Sequence, residues 1–147
     1  MDKLCDQAEE RNTPVTCFWF DFAARKEQSV TNMLGSLLKQ IVGGLERIPD
    51  EISKAFRGQG IAIGGRGPLL PDIVKMLQIV TSSLRTFVCI DALGECAAVH
   101  RVKLLDSLKQ ILEESPCTRV FIIGRPHIRA EVGKASCRAS RMCARRP

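Results

Sequence analysis

Tyrosine is absent from the chain and tryptophan occurs once, at Trp19. Aromatic platforms on which single-stranded nucleic acid could stack are therefore scarce. No C-x-x-C pair occurs among the seven cysteines, Cys5, Cys17, Cys89, Cys96, Cys117, Cys137 and Cys143. That removes the usual spacings of zinc sites and dithiol centres, and an odd count without spaced pairs argues against a disulfide framework. Cys17 and Cys89 sit inside apolar runs, where a thiol packs as a small hydrophobe. No apolar run approaches the ~18 residues that a membrane span needs. The opening "MDKLCDQAEE" has no apolar signal-peptide core. These absences lead us to expect a reducing, cytoplasmic setting and no membrane. Also missing is G-x-x-x-x-G-K-[ST]. Without it, these residues supply no backbone N–H nest for a β-phosphate, no lysine for a γ-phosphate and no hydroxyl for Mg²⁺.

What is present suits one globular domain. The 147 residues are 45% hydrophobic and 26% charged, and a chain of this length can bury roughly two thirds of its unfolded surface. The net charge is +6, but +5 of it lies in residues 134 to 147, on Lys134, Arg138, Arg141, Arg145 and Arg146, which leaves +1 for the rest. The basic character belongs to a tail rather than to a folded face. Such a tail attracts polyanions in a salt-dependent way; specific nucleic-acid binding is not expected.

The pattern alternates strand and helix. "VTCFWF" at 15–20, Phe87–Ile90 and "RVFII" at 119–123 are nearly continuous apolar runs, the mark of strands in a parallel sheet. Between them, Ser29 is a plausible N-cap for a helix whose stripe is Met33, Leu34, Leu37, Leu38, Ile41, Val42 and Leu45. Pro49 opens a short helix carrying Ile52, Ala55 and Phe56. Pro71 starts another with Ile73, Val74, Met76, Leu77 and Val80 inward, and residues 100–114 give a further one. Residues 3–11 have the composition of a helix end. The five glycines of "RGQGIAIGGRGP" at 57–68 predict a loop. That loop does not replace the missing phosphate cradle, because no strand precedes it and Pro68 and Pro71 separate it from the next helix start. The expected fold is α/β, a three-layer parallel sheet with three core strands and flanking helices. It spans residues 1–132, with 133–147 a disordered basic tail.

In such folds, functional groups collect beyond the carboxyl ends of the strands. Asp91 and Glu95 follow one strand, Arg125 follows another and Asp21 ends the third as a weaker candidate. Asp91 is placed to hold Mg²⁺ through water, Glu95 to orient a water, and Arg125 to bond a terminal phosphate. Each has a plainer alternative. Asp91 caps the turn after its strand, Glu95 is a solvated acid at a helix start, or Arg125 pairs with a surface carboxylate.

Three stretches, "CFWFDFAARKEQS", "TFVCIDALGEC" and "RVFIIGRPHI", in this order, resemble the NACHT-type (STAND) signalling P-loop NTPases. The likeness is greatest to the fungal nephrocystin-type domains often found ahead of ankyrin or WD repeats, and it covers residues 1–132. The resemblance implies a Walker B strand with Asp91 at the magnesium site and Glu95 as its terminal acid, and Arg125 as the sensor arginine. It implies ATP or GTP with Mg²⁺ as cofactors, and signal transduction as the setting. Gly94 stands where the family pattern D-x-x-D-E has its second aspartate, and Ile123 where a polar residue is common. The phosphate loop is expected upstream of Met1, so the chain reads as a domain truncated there. It would bind or hydrolyse no nucleotide on its own and would act through protein contacts. The loop's strand would lie beside 119–123, leaving that edge exposed for protein partners or self-association. Two alternatives stay open: a competent switch whose loop lies before a misassigned start, and polyanion binding through the tail.

Overall fold

The computed structural model describes residues 13–21, 28–61, 67–125, 130, 132–133 and 142–145. Three strands come from the three apolar runs: β1 (Val15–Trp19), β2 (Phe87–Asp91) and β3 (Arg119–Ile123). They pair in parallel and in sequence order, with Cys17 opposite Cys89 and Cys89 opposite Phe121. Four helices connect them: α1 (Val30–Gly43), α2 (Asp50–Ile61), α3 (Leu70–Ser83) and α4 (Ala98–Glu114). A single 3-10 turn, Leu93–Glu95, follows β2.

The helix starts obey local chemistry. Ser29 caps α1, its Oγ accepting the Asn32 N–H at 3.2 Å. At α3, Pro71 occupies the first turn and the Asp72 carboxylate accepts the Leu69 N–H at 3.2 Å. The apolar stripes then meet. Leu34, Leu37 and Ile41 of α1, Ile73, Met76 and Val80 of α3, and Leu104, Leu108 and Leu112 of α4 are all buried. They join Val88, Ile90, Val120 and Ile122 of the sheet in one core. Strands laid down in sequence order and joined by right-handed crossovers place their helices on a common face. The alternate strand residues, among them Trp19, Phe87 and Phe121, point to the other face, where the Phe87 and Phe121 rings lie 6.0 Å apart.

Three expectations need correction. The segment taken as disordered contains a fourth strand, β4 (Met142–Arg145), parallel to β3 and paired from Val120–Met142 to Ile123–Arg145. Its sequence has no strand signal of its own; β3 supplies the ladder of backbone groups on which it forms. For the same reason the outer edge of β3 is covered rather than exposed. Finally, α2 runs through Gly58 and Gly60 to Ile61 instead of giving way to a loop at 57. Each glycine costs a helix interior ~1 kcal/mol relative to alanine. The helix is supported by Asp50 and Glu51 in its first turn and by Ile52, which is fully buried. The helix end expected at 3–11, the rest of the glycine loop at 62–66, and tail positions 134–141 and 146–147 lie outside the described residues.

Among the described residues the sheet ends at β4 on one side and at β1 on the other. On the β1 side one side chain of α1 reaches the edge backbone. Gln40 Oε1 accepts the Cys17 N–H at 2.9 Å, and Gln40 Nε2 donates to the Cys17 carbonyl at 2.9 Å. The Thr16 hydroxyl, fully buried, also donates to Gln40 Oε1 at 2.9 Å. A side-chain amide thus takes the two backbone groups that Cys17 would offer to a neighbouring strand.

Candidate functional site

The carboxyl ends of β1, β2 and β3 converge, and the chain's strand-end acids and arginine gather there. The Phe20 N–H, one residue past β1, donates to the Asp91 carbonyl at 3.2 Å, which ties Asp21 to the same rim. Asp91 ends β2. Its Oδ1 accepts the N–H of Ala92 at 2.7 Å, so the carboxylate caps the turn that its own strand enters.

Ala92 adopts a left-handed backbone, with φ of 53°. It is the one non-glycine residue with positive φ among the described residues. That conformation costs an L-residue about 1–2 kcal/mol and reverses the chain sharply into the 3-10 turn. The Glu95 N–H then donates to the Ala92 carbonyl at 2.8 Å, and the Cys96 N–H to the Leu93 carbonyl at 3.2 Å. Leu93, fully buried, anchors the turn. The Arg101 Nη1 donates to the Cys96 carbonyl at 3.0 Å and holds the exit.

This folding aims Glu95 across to the end of β3. Its Oε1 meets Arg125 Nη2 at 2.9 Å, with Glu95 26% and Arg125 71% exposed. Gly124 lies against the Leu93–Gly94 backbone, where an added Cβ would sit 3.9 Å from its nearest neighbours, in ordinary contact. Close approach of the two loops brings acid and arginine together without requiring glycine at 124. The structure therefore unites Asp91, Glu95 and Arg125 on adjacent strand ends. Asp21 is exposed at the same rim.

The chemistry of this donor set is limited. Glu95 already neutralises Arg125, and one oxygen of Asp91 is committed to Ala92. Magnesium is usually held by one or two carboxylates together with phosphate oxygens and waters. Gly94 adds no ligand beside Asp91. No group of three or more His, Cys, Asp or Glu able to hold a metal occurs among the described residues. Without a nucleotide's phosphate oxygens, the described residues offer too few ligands for a resident Mg²⁺, and the sequence contains no G-x-x-x-x-G-K-[ST] motif. A separate groove of about 360 Å³ lies between α1 and the start of α3, lined by Thr31, Asn32, Ser36, Lys39, Pro68 and Ile73 among others. It includes none of the strand-end residues.

Two features escape sequence reading. Gln40 is a helical residue beside the apolar stripe, and nothing in the period separates it from any solvated amide. Ala92 carries no glycine signal for its left-handed turn. By contrast, the Glu95–Arg125 contact is foreshadowed by the two residues' matching positions beyond adjacent strands.

Among the described residues no helix is long and apolar enough to cross a membrane. Residues 1–125 match the family model described as Nephrocystin 3, N-terminal. No curated protein and no solved structure matches the chain.

Proposed function

The chain belongs to the nephrocystin 3 N-terminal family, and from that premise we propose that it is a NACHT-type signalling module that works through protein contacts and not by turning over nucleotide. The observation that carries the reading is the Glu95–Arg125 pair at 2.9 Å. An acid that orients water and an arginine that bonds phosphate act on a substrate; here the two are paired with each other, with Arg125 71% exposed. The lack of a G-x-x-x-x-G-K-[ST] loop within these residues and of a second acid at Gly94 supports the same view. The partners of such a module are proteins, a second copy of the chain included, met through its sheet edge.

A competent switch is the second reading, favoured by the meeting of Asp91, Glu95 and Arg125 on neighbouring strand ends. A nucleotide phosphate held by a loop supplied from outside these residues would then compete with Glu95 for Arg125 and release Glu95. Polyanion binding through residues 134–147 is the third, and rests on their five cations without an acid.

Steady-state phosphate release separates the first two. The 147-residue chain with Mg²⁺ and ATP or GTP should release no phosphate above the blank. Turnover that Glu95→Gln abolishes would overturn the proposal in favour of the competent switch. For the third, retention on heparin that vanishes when residues 134–147 are deleted would assign polyanion binding to the tail.

A further inference from the structure

From Val120 to Ile123 β3 is wholly apolar and β-branched or aromatic, the composition that strands favour. Both of its edges are paired, but by partners of different quality. β2 spans five residues and is itself held between β1 and β3. β4 spans four and, among the described residues, ends the sheet with β3 as its one strand neighbour. Its sequence, Met-Cys-Ala-Arg, has no β-branched or aromatic residue. Residues 124 to 141 separate it from β3 in the sequence. A weak strand on a strong edge is an exchangeable one.

We propose that Met142–Arg145 is an intramolecular cover for the outer edge of β3, and that on its release this edge pairs with the same edge of a second copy of the chain. The occupant follows from the edges themselves. Two copies of Val120–Ile123 related by a two-fold axis meet antiparallel and are self-complementary. Neither stretch carries a charge that would repel the other. At the sheet's opposite edge Gln40 occupies both backbone groups of Cys17, in the middle of β1. A strand that added there would have to displace it, which favours assembly through β3. The inference names the partner of the protein-contact function above and rests on that reading for its purpose; the cover itself rests on the β3–β4 register.

Sedimentation equilibrium tests it on three chains: the full one, a deletion of residues 134–147, and C143P/A144P. The double proline variant keeps the tail's charges but removes ladder donors. The full chain should be mainly monomeric, and both variants should self-associate at about tenfold lower concentration or less. Adding Ile123→Lys to the deletion, which places a charge on the bared edge, should restore the monomer. Variants that associate no more readily than the full chain, or assembly that ignores Ile123→Lys, would overturn the proposal. If the deletion does not fold, amide exchange in the full chain decides. Cys143 and Ala144 amides protected, but about tenfold or more below Val88 and Ile90, fit an exchangeable cover. Amides that are unprotected, or as protected as the core, contradict it. Micromolar nucleotide binding would sink the functional reading and leave this one standing; monomeric variants would do the reverse.

Discussion

Removing the Gln40 side chain tests how the β1 edge is closed. In Gln40→Ala three contacts of 2.9 Å disappear together. They are not equal. Cys17 is half-exposed, so its N–H and carbonyl regain water, and each lost bond costs about 0.5–1 kcal/mol. Thr16 is fully buried, and its hydroxyl is left without an acceptor, at about 1–3 kcal/mol. The expected loss is about 2–5 kcal/mol. At about 3 °C per kcal/mol for a domain of this size, Tm falls by roughly 6–15 °C. Urea unfolding followed by far-UV circular dichroism measures the free energy directly. The apportioning is checked by a double mutant. If the orphaned hydroxyl dominates, Gln40→Ala with Thr16→Val is more stable than Gln40→Ala alone, since removing both partners avoids the unsatisfied group. A Gln40→Ala loss below about 0.5 kcal/mol, or a double mutant less stable than the single, would refute the reasoning.

The remaining expectations concern the rim and the opposite end of the sheet. Breaking the Glu95–Arg125 pair by Glu95→Ala should cost at most about 1 kcal/mol, because Arg125 is 71% exposed, and the effect should shrink in high salt. Ala92→Gly relieves the left-handed alanine and should stabilise by about 0.5–1 kcal/mol in thermal melts, net of glycine's added chain entropy. Thr118 is buried and its hydroxyl has no hydrogen-bond partner. Thr118→Val should therefore stabilise by about 1 kcal/mol in urea unfolding; destabilisation would show that the hydroxyl is satisfied in solution.

What the sequence reveals of this fold is what local composition decides. β1, β2 and β3 are legible as apolar runs because a parallel strand is buried between neighbours. Ser29 and Pro71 mark helix starts because an orphan N–H needs an acceptor and proline needs none. β4 is illegible because Met142–Arg145 owes its strand to the edge of β3, a contact between distant parts of the chain. The continuation of α2 through Gly58 and Gly60 is illegible for a related reason, since it depends on tertiary support for residues with poor helix propensity. At the rim, strand-end position alone picks out Asp91, Glu95 and Arg125. Their mutual arrangement, Asp91 turned to its own backbone and Glu95 turned to Arg125, depends on the Ala92 reversal, which no residue type announces.

Calorimetric titration of Mg-ATP and Mg-GTP into the purified 147-residue chain tests the central claim most directly. A rim whose arginine is paired with Glu95 and a sequence without a G-x-x-x-x-G-K-[ST] motif should give no binding heat for either nucleotide up to millimolar concentrations. A saturable isotherm with a micromolar Kd would contradict it.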